Sequence, residues 1–428
     1  MARKRRKIKR SWLIILVLSV LLILSLSFIL NNPKFIGKKS VHADAKKYQT
    51  RHCLAFYPDG DNGLKMAKEV CKDVKDDSIF DYSLIPFGDY YMVNYGHDLR
   101  YLTDKEYNTL KIETVSEKEK GIITDYLKYE IKKDNPEKYY DPEYIKTLKT
   151  ENIDFSNIKY SIDGESLSCY LPDYDKTLSI PLNVAQRLLD MNFGFADSVY
   201  RKPVYIDPDR PVICLTFDDG PQFWYESGDT STEVIVDVLA EYDANATFYV
   251  VGDNLENRVA WSDYEVYDFF KKSIANGNEY GSHTQTHKST LTDLSTKEAI
   301  YKEINEPIEF MRKFISYDMN TYRPVAGEFD DDVLNAQPVG AVLWDLDSED
   351  WLSMDSETII DRVLNSEIDS GDILIFHDIY DETADALKTI IPELLSKGYQ
   401  MVTVSDMMNY YGVDVNNFKF IFSATDYR

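Results

Sequence analysis

A short apolar strand that ends in two aspartates is the sequence feature that most constrains this fold. Residues 212–215, Val-Ile-Cys-Leu, have high strand propensity and run directly into Thr-Phe-Asp-Asp-Gly-Pro at 216–221. A continuous apolar run bounded by a turn signal is typical of a strand buried on both faces, as in a parallel α/β sheet. Asp218 and Asp219 then lie at its carboxyl end, where catalytic side chains of α/β folds stand. The stretch alone leaves an equal alternative, a turn in which an aspartate caps the next helix.

Apolar runs alternate with amphipathic patterns along the rest of the C-terminal half. Strands are predicted at 246–252, 279–283, 341–345, 373–376 and 401–404, and helices at 233–242, 263–275, 297–315, 356–365 and 383–397. Repeated βα units at this spacing predict a parallel α/β barrel or a doubly wound sheet. A Pro-rich joint at 201–210 precedes this region, and 411–428 is predicted to be a C-terminal tail.

Residues 51–200 contain no chemical motif and are predicted to form a smaller α+β domain. A helix is predicted at 117–132, a hairpin around Asp163-Gly164, and a strand that turns into a helix at 180–189. His52 and His97 stand alone in this region, and we interpret them as ordinary surface or core histidines.

The N-terminus has the pattern of a membrane anchor. Residues 1–10 carry seven Lys or Arg, and residues 12–30 are uncharged and contain only apolar residues and Ser. The pattern predicts a cytoplasmic basic segment, a single-pass transmembrane signal anchor at 11–30, a stalk at 31–50, and a wall-facing remainder outside the cell membrane. The alternative is a cleaved signal peptide, for which the candidate cleavage site is Ala43-Asp44-Ala45.

Charge and cysteine content restrict the partners and the compartment. The net charge of −25 over 428 residues disfavours nucleic-acid binding, which requires a basic face. Outside the cytoplasm Cys53 and Cys71 could form a disulfide, whereas Cys214 is predicted to be a small buried side chain. The sequence leaves the oligomeric state open.

Three of the six histidines follow the paired aspartates. His283 and His287 are separated by four positions, so both imidazoles can reach one metal ion that an aspartate from elsewhere completes. This spacing alone occurs more often for structural reasons than for metal binding. His377 ends the apolar run 373–376, and it therefore takes the same position at a strand end as Asp218.

Five motifs, taken in order, resemble those of a known family. They are TFDDGP at 216–221, SHTQTH at 282–287, RPVAG at 323–327, WDLDSEDW at 344–351 and ILIFHD at 373–378. This order is similar to that of the polysaccharide deacetylases with a NodB homology domain, carbohydrate esterase family 4, over about residues 205–410. The resemblance implies a distorted (β/α) barrel as a catalytic domain at 201–410. The hairpin and the following IPLNVAQRLL at 180–189 resemble the RsiV-like domain that precedes some Gram-positive wall deacetylases.

The resemblance implies a metal site and two proton-transfer groups. Asp219, His283 and His287 would be the ligands of one divalent ion, for which Zn²⁺ is favoured and Co²⁺ or Mn²⁺ could substitute. Asp218 would be the general base that accepts the proton of the attacking water, kept ionised by Arg323. His377 would be the general acid, kept charged and oriented by Asp350.

The resemblance also implies the walls of the substrate site. Trp344 would form an apolar wall beside the acetyl methyl, and the backbone N–H near Val325 and Ala326 would hold the oxyanion. The family's third motif is usually RPPYG, whereas this chain has RPVAG at 323–327. The change removes an aromatic ring from the sugar groove and one Pro from the loop. The acidic run Asp330-Asp331-Asp332 that follows is predicted to be a solvated face.

The function implied is a metal-dependent hydrolase that removes N-acetyl groups from N-acetylglucosamine in cell-wall peptidoglycan and releases acetate. One alternative retains the chemistry on another exported polysaccharide, such as poly-N-acetylglucosamine, chitin oligomers or acetylxylan. The other alternative, suggested by RPVAG, is a weakly active protein that binds the wall. The intact Asp218, Asp219, His283, His287 and His377 argue against that last possibility.

Overall fold

The computed structural model describes residues 46–49, 54–57, 64–65, 68, 82–87, 90–95, 98–104, 109–110, 119–155, 158–163, 166–189, 199–222, 231–413 and 420–421. The chain forms two compact units, Met1–Thr114 with Tyr160–Ser168 and Pro181–Phe195, and Val115–Lys159 with Cys169–Ile180 and Ala196–Arg428. The predicted anchor at 11–30, the cysteines at 53 and 71, and the histidines at 52 and 97 lie outside the described residues. Within the described part of the chain, no helix combines the length and hydropathy of a transmembrane span.

The elements before residue 200 are short. Strands β1 (Lys46–Gln49) and β2 (Leu54–Tyr57) pair antiparallel, and β3 (Tyr82–Phe87), β4 (Tyr90–Tyr95), β5 (Asp98–Asp104) and β6 (Thr109–Leu110) form an antiparallel sheet in that order. They are followed by α1 (Gly121–Asp134), α2 (Pro136–Tyr139), α3 (Pro142–Thr147), β7 (Lys159–Asp163), β8 (Ser166–Leu171), β9 (Lys176–Pro181) and α4 (Leu182–Leu188). Strands thus flank the predicted turn at 163–164, and a strand runs into a helix where one was predicted.

The elements after residue 200 alternate between strand and helix. The strands are β10 (Val212–Asp218), β11 (Ala246–Val250), β12 (Glu279–Ser282), β13 (Thr321–Tyr322), β14 (Gly340–Val342), β15 (Leu346–Asp347), β16 (Ile373–His377), β17 (Gln400–Met401) and β18 (Phe420–Ile421). The helices are α5 (Ser231–Glu241), α6 (Gly252–Trp261), α7 (Asp263–Ala275), α8 (Lys297–Ile315), α9 (Asp331–Ala336), α10 (Asp350–Ser353), α11 (Ser356–Leu364), α12 (Asp381–Ser396) and α13 (Val404–Tyr410).

These strands form one parallel sheet. Its order is β15-β16-β10-β11-β12-β13-β14-β18, and β17 pairs with the beginning of β10. Every residue of β10 is buried, as its continuous apolar run predicts. The parallel strands and the helices that connect them form a half-barrel, in agreement with the predicted α/β class.

The core packs helices against one face of this sheet. Phe217 stacks on Phe248 and Phe376 from the neighbouring strands, with ring centroids 4.9 and 5.6 Å apart. The apolar positions of α8 recur every three or four residues, so the helix buries one face, and Thr296 caps its first turn by accepting a hydrogen bond from the Ala299 N–H at 3.1 Å. This packing fixes the strands whose carboxyl ends carry the site.

Residues at the end of α2 contact the sheet near the amino ends of its strands, opposite the carboxyl ends that carry the site. The contacts are polar and largely buried. Tyr140 donates its hydroxyl to Gln400 Oε1 at 2.7 Å, and Tyr139 and Lys202 both donate to Asp243. The compact unit that holds the sheet therefore also includes residues 115–159 and 169–180. The domain boundary predicted near residue 200 stays a prediction.

Candidate active site

The predicted site residues converge because the strands are parallel and in register. Asp218 at the end of β10 is the neighbour of His377 at the end of β16. His283 follows β12, and Arg323 follows β13, whose Tyr322 pairs with Ser282. The carboxyl ends of parallel strands meet at one edge of a sheet, so motifs that are more than a hundred residues apart in the chain form one cluster.

Asp219, His283 and His287 form a group that could hold a metal ion. Their candidate ligand atoms lie within 4.8 Å of one another, and no other such group is found among the described residues. Asp219 Oδ1 is 3.4 Å from His283 Nε2 and 3.2 Å from His287 Nε2. Asp219 and His287 have φ values of 76° and 50°, a left-handed conformation that non-glycine residues adopt mainly at functional sites.

The hydrogen bonds around this group fit a cation. His283 Nδ1 lies 2.8 Å from the Arg323 carbonyl oxygen, which can only accept, so Nδ1 carries the proton and the Nε2 lone pair of the neutral ring faces Asp219. Asp219 Oδ1 is buried and has no hydrogen-bond donor. Electron-rich ligand atoms that face one another in a buried site require a positive charge between them, and two imidazoles with one carboxylate are a ligand set for Zn²⁺.

The ionisation of the three side chains agrees with this electrostatic environment. Burial disfavours the charged form of Asp219, but the adjacent imidazoles of His283 and His287 outweigh it and lower its pKa to about 2. Burial also opposes a charge on His283, but the carboxylates of Asp218 and Asp219 outweigh it and raise the pKa of this histidine, so its ring must release a proton when it ligates a metal. Burial and the neighbouring His283 lower the pKa of His287, which favours the neutral form that ligates a metal.

A fully buried arginine holds the candidate base. Arg323 Nη1 donates to Asp218 Oδ1 and to Thr216 Oγ1, each at 2.8 Å. Its Nε and Nη2 donate to the carbonyl oxygens of Val342 and Leu343 at 3.1 and 2.9 Å. The planar guanidinium is thereby fixed by four acceptors, and it pairs one oxygen of Asp218. The other oxygen, Oδ2, lies 3.6 Å from His283 Nε2 and remains available next to the metal group.

The candidate acid is held by a buried carboxylate. His377 Nδ1 lies 2.8 Å from Asp350 Oδ1, and Asp350 is fully buried at the start of α10. Burial of the imidazole disfavours its charge, but the hydrogen bond and charge of Asp350 outweigh this and raise the pKa of His377 to about 9. The ring is therefore protonated at neutral pH, and its Nε2–H is free to donate.

The loop of the third motif carries an exposed alanine. Ala326 is exposed and has a φ of 55°, within a single helical turn at Val325–Gly327. A Cβ atom at Gly327, whose φ is 69°, would lie 3.0 Å from the ring of Trp344, so only glycine fits there. The guanidinium of Arg323 lies 5.5 Å from the Trp344 ring. Trp344 is thus held beside this loop, where it can form a wall of the site.

Several supporting residues were not predicted. The Thr286 N–H and hydroxyl, between the two candidate histidine ligands, donate to Glu303 of α8 at 2.9 and 3.2 Å. Asp378 is buried beside Gly220, and its Oδ2 accepts a hydrogen bond from Thr232 Oγ1 at 2.7 Å. Burial raises the pKa of Asp378 to about 7. The position of Asp378 directly after His377 was a usable signal, whereas nothing in the sequence marked Glu303.

The acidic run after this loop has a structural role in addition to being exposed. Asp330 caps α9, since its carboxylate accepts a hydrogen bond from the Val333 N–H at 2.9 Å. Asp331 and Asp332 lie in the first turn of the same helix, where negative charge is stabilising.

Comparison with known proteins gives the family. The family model described as polysaccharide deacetylase matches residues 206–338. A peptidoglycan-N-acetylglucosamine deacetylase of Bacillus cereus is 33% identical over 207 residues, which cover 46% of this chain and 89% of that protein. The chain belongs to the polysaccharide deacetylase family.

Longer relatives match over part of their length. The peptidoglycan-N-acetylmuramic acid deacetylase PdaC of Bacillus subtilis is 40% identical over 202 residues, 47% of this chain and 40% of that protein. The chain thus spans two fifths of the length of PdaC. The solved structure of PdaC covers 48% of this chain and 93% of the solved chain at 37% identity, with a TM-score of 0.41.

Proposed function

We propose that this protein is a metal-dependent hydrolase that removes N-acetyl groups from N-acetylglucosamine residues of wall peptidoglycan. The observation that supports the proposal is a group able to hold a metal ion next to an arginine-held carboxylate, on the strand neighbouring the one that ends in a protonated histidine. Asp218 and His377 end neighbouring strands, and the ligand group lies beside both. Amide hydrolysis requires one group that accepts a proton and one that donates it, and this edge of the sheet supplies both.

The chain's own residues divide the proton transfers between them. Asp218 Oδ2, which Arg323 does not hold, accepts a proton from the water that attacks the acetamide carbon. The backbone N–H near Ala326 donates to the oxygen of the tetrahedral intermediate. His377 Nε2–H then protonates the amine nitrogen as the C–N bond breaks, and acetate and the free amino sugar are released. A bound divalent ion polarises the carbonyl and increases the acidity of the attacking water.

The ligands proposed for that ion are Asp219, His283 and His287, and Zn²⁺ is the ion that suits them best. We expect about one divalent ion per chain, removed by a chelator together with the activity. His283→Ala should lower the metal content measured by elemental analysis, whereas Asp218→Asn should retain the metal and abolish turnover because the ligands are unchanged. Full metal content in the His283→Ala protein would overturn the ligand assignment.

Wall glycan is the proposed substrate because the matching relatives are named as peptidoglycan deacetylases. The N-terminal pattern supports a wall-facing location, with residues 11–30 as the anchor and 51–200 as an accessory domain. The decisive experiment measures acetate release from purified wall, chitooligosaccharides and acetylxylan, with and without added Zn²⁺. Release from acetylxylan alone would overturn the substrate, and release from none of the three with metal bound would overturn the activity.

The exposed Ala326 favours a second sugar within the same polymer. Alanine is smaller than the tyrosine that the family usually has at this position. It leaves room beside Trp344 for a substituent on the sugar, such as the lactyl ether of N-acetylmuramic acid. PdaC is named for that sugar. Mass spectrometry of the digested wall distinguishes the two sugars, and Ala326→Tyr should reduce the reaction of N-acetylmuramic acid more than that of N-acetylglucosamine.

A further inference from the structure

The carboxylate of Asp350 is held by more than its histidine partner. Its Oδ1 accepts hydrogen bonds from the Trp351 N–H and from His377 Nδ1, each at 2.8 Å. Its Oδ2 accepts from the His377 N–H and from the hydroxyl of Thr383, each at 2.7 Å. Four donors thus surround a carboxylate that no solvent reaches.

The Thr383 hydroxyl differs from the other donors in its origin. Trp351 follows Asp350 directly in the chain, and His377 ends strand β16. Thr383 instead lies in the first turn of α12. Its side chain is fully buried, and its hydrogen bond to Asp350 Oδ2 directs the hydroxyl to the carboxylate. Thr383 therefore connects the start of a 16-residue helix to the carboxylate that orients the general acid.

We propose that Thr383 is a positioning residue for the reaction, which fixes the plane of the Asp350 carboxylate and through it the direction of the His377 Nε2–H. The proposal rests on the proposed function, in which His377 donates the proton to the leaving amine. It assigns to Thr383 no contact with substrate, metal or water.

The geometry explains why the plane of the carboxylate matters. The two oxygens of Asp350 rotate together about the Cβ–Cγ bond. The contacts that hold Oδ2 therefore decide whether Oδ1 lies in the plane of the imidazole ring. The His377 N–H and Thr383 hold Oδ2 from two directions. Without the hydroxyl, one lone pair of a buried oxygen has no donor, and the carboxylate rotates toward its remaining donors. The ring then follows Oδ1 and the Nε2–H leaves the line to the amine.

The test compares Thr383→Val, which removes the hydroxyl with little change of shape, with Thr383→Ser, which retains it. The matched control is Thr358→Val, because Thr358 also lies in the first turn of a helix and donates its hydroxyl to the carboxylate of Asp355 at 2.6 Å, but on an exposed surface. All three changes are made in the full chain, loaded with metal. Thermal unfolding midpoints establish that each protein is folded, and Thr383→Ala replaces the valine variant if that variant does not fold.

We expect Thr383→Val to lower kcat by about 10-fold with KM changed by less than about twofold, because orientation for the proton transfer is lost and substrate binding is not. Thr383→Ser and Thr358→Val should stay within about threefold of the parent. The same kcat in Thr383→Val as in the parent, or an equal loss in the serine variant, overturns the proposal.

A spectroscopic measurement separates this proposal from the proposed function, since it requires no substrate. The proton on His377 Nδ1, identified by its absence in His377→Ala, should give a low-field NMR resonance because it lies in a hydrogen bond to a carboxylate. Thr383→Val should shift or broaden this resonance, whereas Thr383→Ser and Thr358→Val should leave it in place. An unchanged resonance in folded Thr383→Val refutes the positioning role, even if the protein deacetylates no glycan.

Discussion

At the scale of the residue, two buried partnerships suit the two proposed proton-transfer groups to opposite tasks. Arg323 pairs with Oδ1 of Asp218 through a guanidinium that four acceptors fix, and Oδ2 of Asp218 faces the candidate metal group. Asp350 pairs with His377 and raises its pKa to about 9 against the effect of burial, so the imidazole remains a donor at neutral pH. Base and acid are thus determined by their partners and not by residue type alone.

The first prediction concerns the pH dependence of turnover. His377 must be protonated to donate, so the rate should fall as the pH rises through about 9, the pKa that Asp350 gives it. Asp350→Asn removes the negative charge that raises this pKa, and the alkaline limb of the kcat profile should move to lower pH. His377→Ala should retain its metal, lose about 10²–10⁴-fold in kcat and lose the alkaline limb. An alkaline limb that persists in His377→Ala would assign the proton donation to another group.

The second prediction concerns Asp378, a buried carboxyl group next to His377. Burial raises its pKa from 3.8 to about 7, so between these values the folded protein binds a proton that the unfolded chain does not. Stability from this group is complete below about pH 4 and is lost as the pH rises through 7. In chelator, the free energy of unfolding should therefore fall by about 3 kcal/mol from this group between pH 4 and 8.

Asp378→Asn is the test, because the amide is neutral at every pH and has the same shape. Denaturant unfolding at pH 4 and at pH 8 should show a smaller difference for this variant than for the parent. Asp381→Asn, an exposed carboxylate in the first turn of α12, is the control and should retain the parent's difference. Equal pH dependence in parent and Asp378→Asn would refute the assignment.

At the scale of the element, the long helices and the buried strands of four or five residues were predictable, whereas strands of two or three residues were not. The helices at 263–275 and 297–315 have the predicted bounds, because a repeat over three or more turns identifies a helix. The strand predicted at 341–345 is in fact Gly340–Val342, and the two-residue β15 that follows was not predicted. A strand of two residues has no period, and β15 exists because its backbone pairs with β16.

The candidate site divides in the same way. Asp218, Asp219 and the three histidines were predicted because they lie at strand ends within motifs. Thr383 and Glu303 are ordinary helix residues whose partners lie 33 and 17 positions away, so only the folded chain shows their contacts. The candidate ligands and proton-transfer groups could be recognised from residue type and motif. The residues that orient them could be recognised only from the folded structure.

The third prediction concerns the support that α8 gives to the loop of the histidine ligands. Glu303 accepts hydrogen bonds from the N–H and hydroxyl of Thr286, which lies between His283 and His287. Glu303→Ala leaves these donors without an acceptor and frees the loop, so the affinity for Zn²⁺ should fall by about 10-fold or more in a competition with a chelator. Glu306→Ala is the control, because Glu306 lies on the same helix in an exposed pair with Lys302. A loss of the same size in both variants would indicate an effect of the helix and not of the contact.

At the scale of the whole molecule, α1 and α2 contact the rest of the unit that holds the sheet through largely buried polar groups. Asp243 accepts hydrogen bonds from Tyr139 and Lys202, and Lys128 lies 3.8 Å away. Burial and the neighbouring Lys128 lower the pKa of Lys202, and the carboxylate of Asp125 opposes this shift. No periodicity links Tyr139 to Asp243, which is 104 positions distant, and this grouping could not be predicted from the sequence.

The last prediction tests whether these contacts stabilise the unit. Asp243→Asn retains the shape of the side chain and tolerates the φ of 52° at this position, since asparagine adopts the left-handed conformation readily. It removes the negative charge from the largely buried pair that Asp243 forms with Lys202, and breaking one side of a buried pair typically costs about 3–5 kcal/mol. We expect urea unfolding to show a loss of about 3 kcal/mol or more with an unchanged dependence on urea concentration. Asp237→Asn, in the exposed pair with Lys272 at 2.8 Å, should cost less than about 1 kcal/mol. If the two variants lose the same amount, Asp243 contributes no more than a surface charge and the first helices are held by their apolar contacts alone.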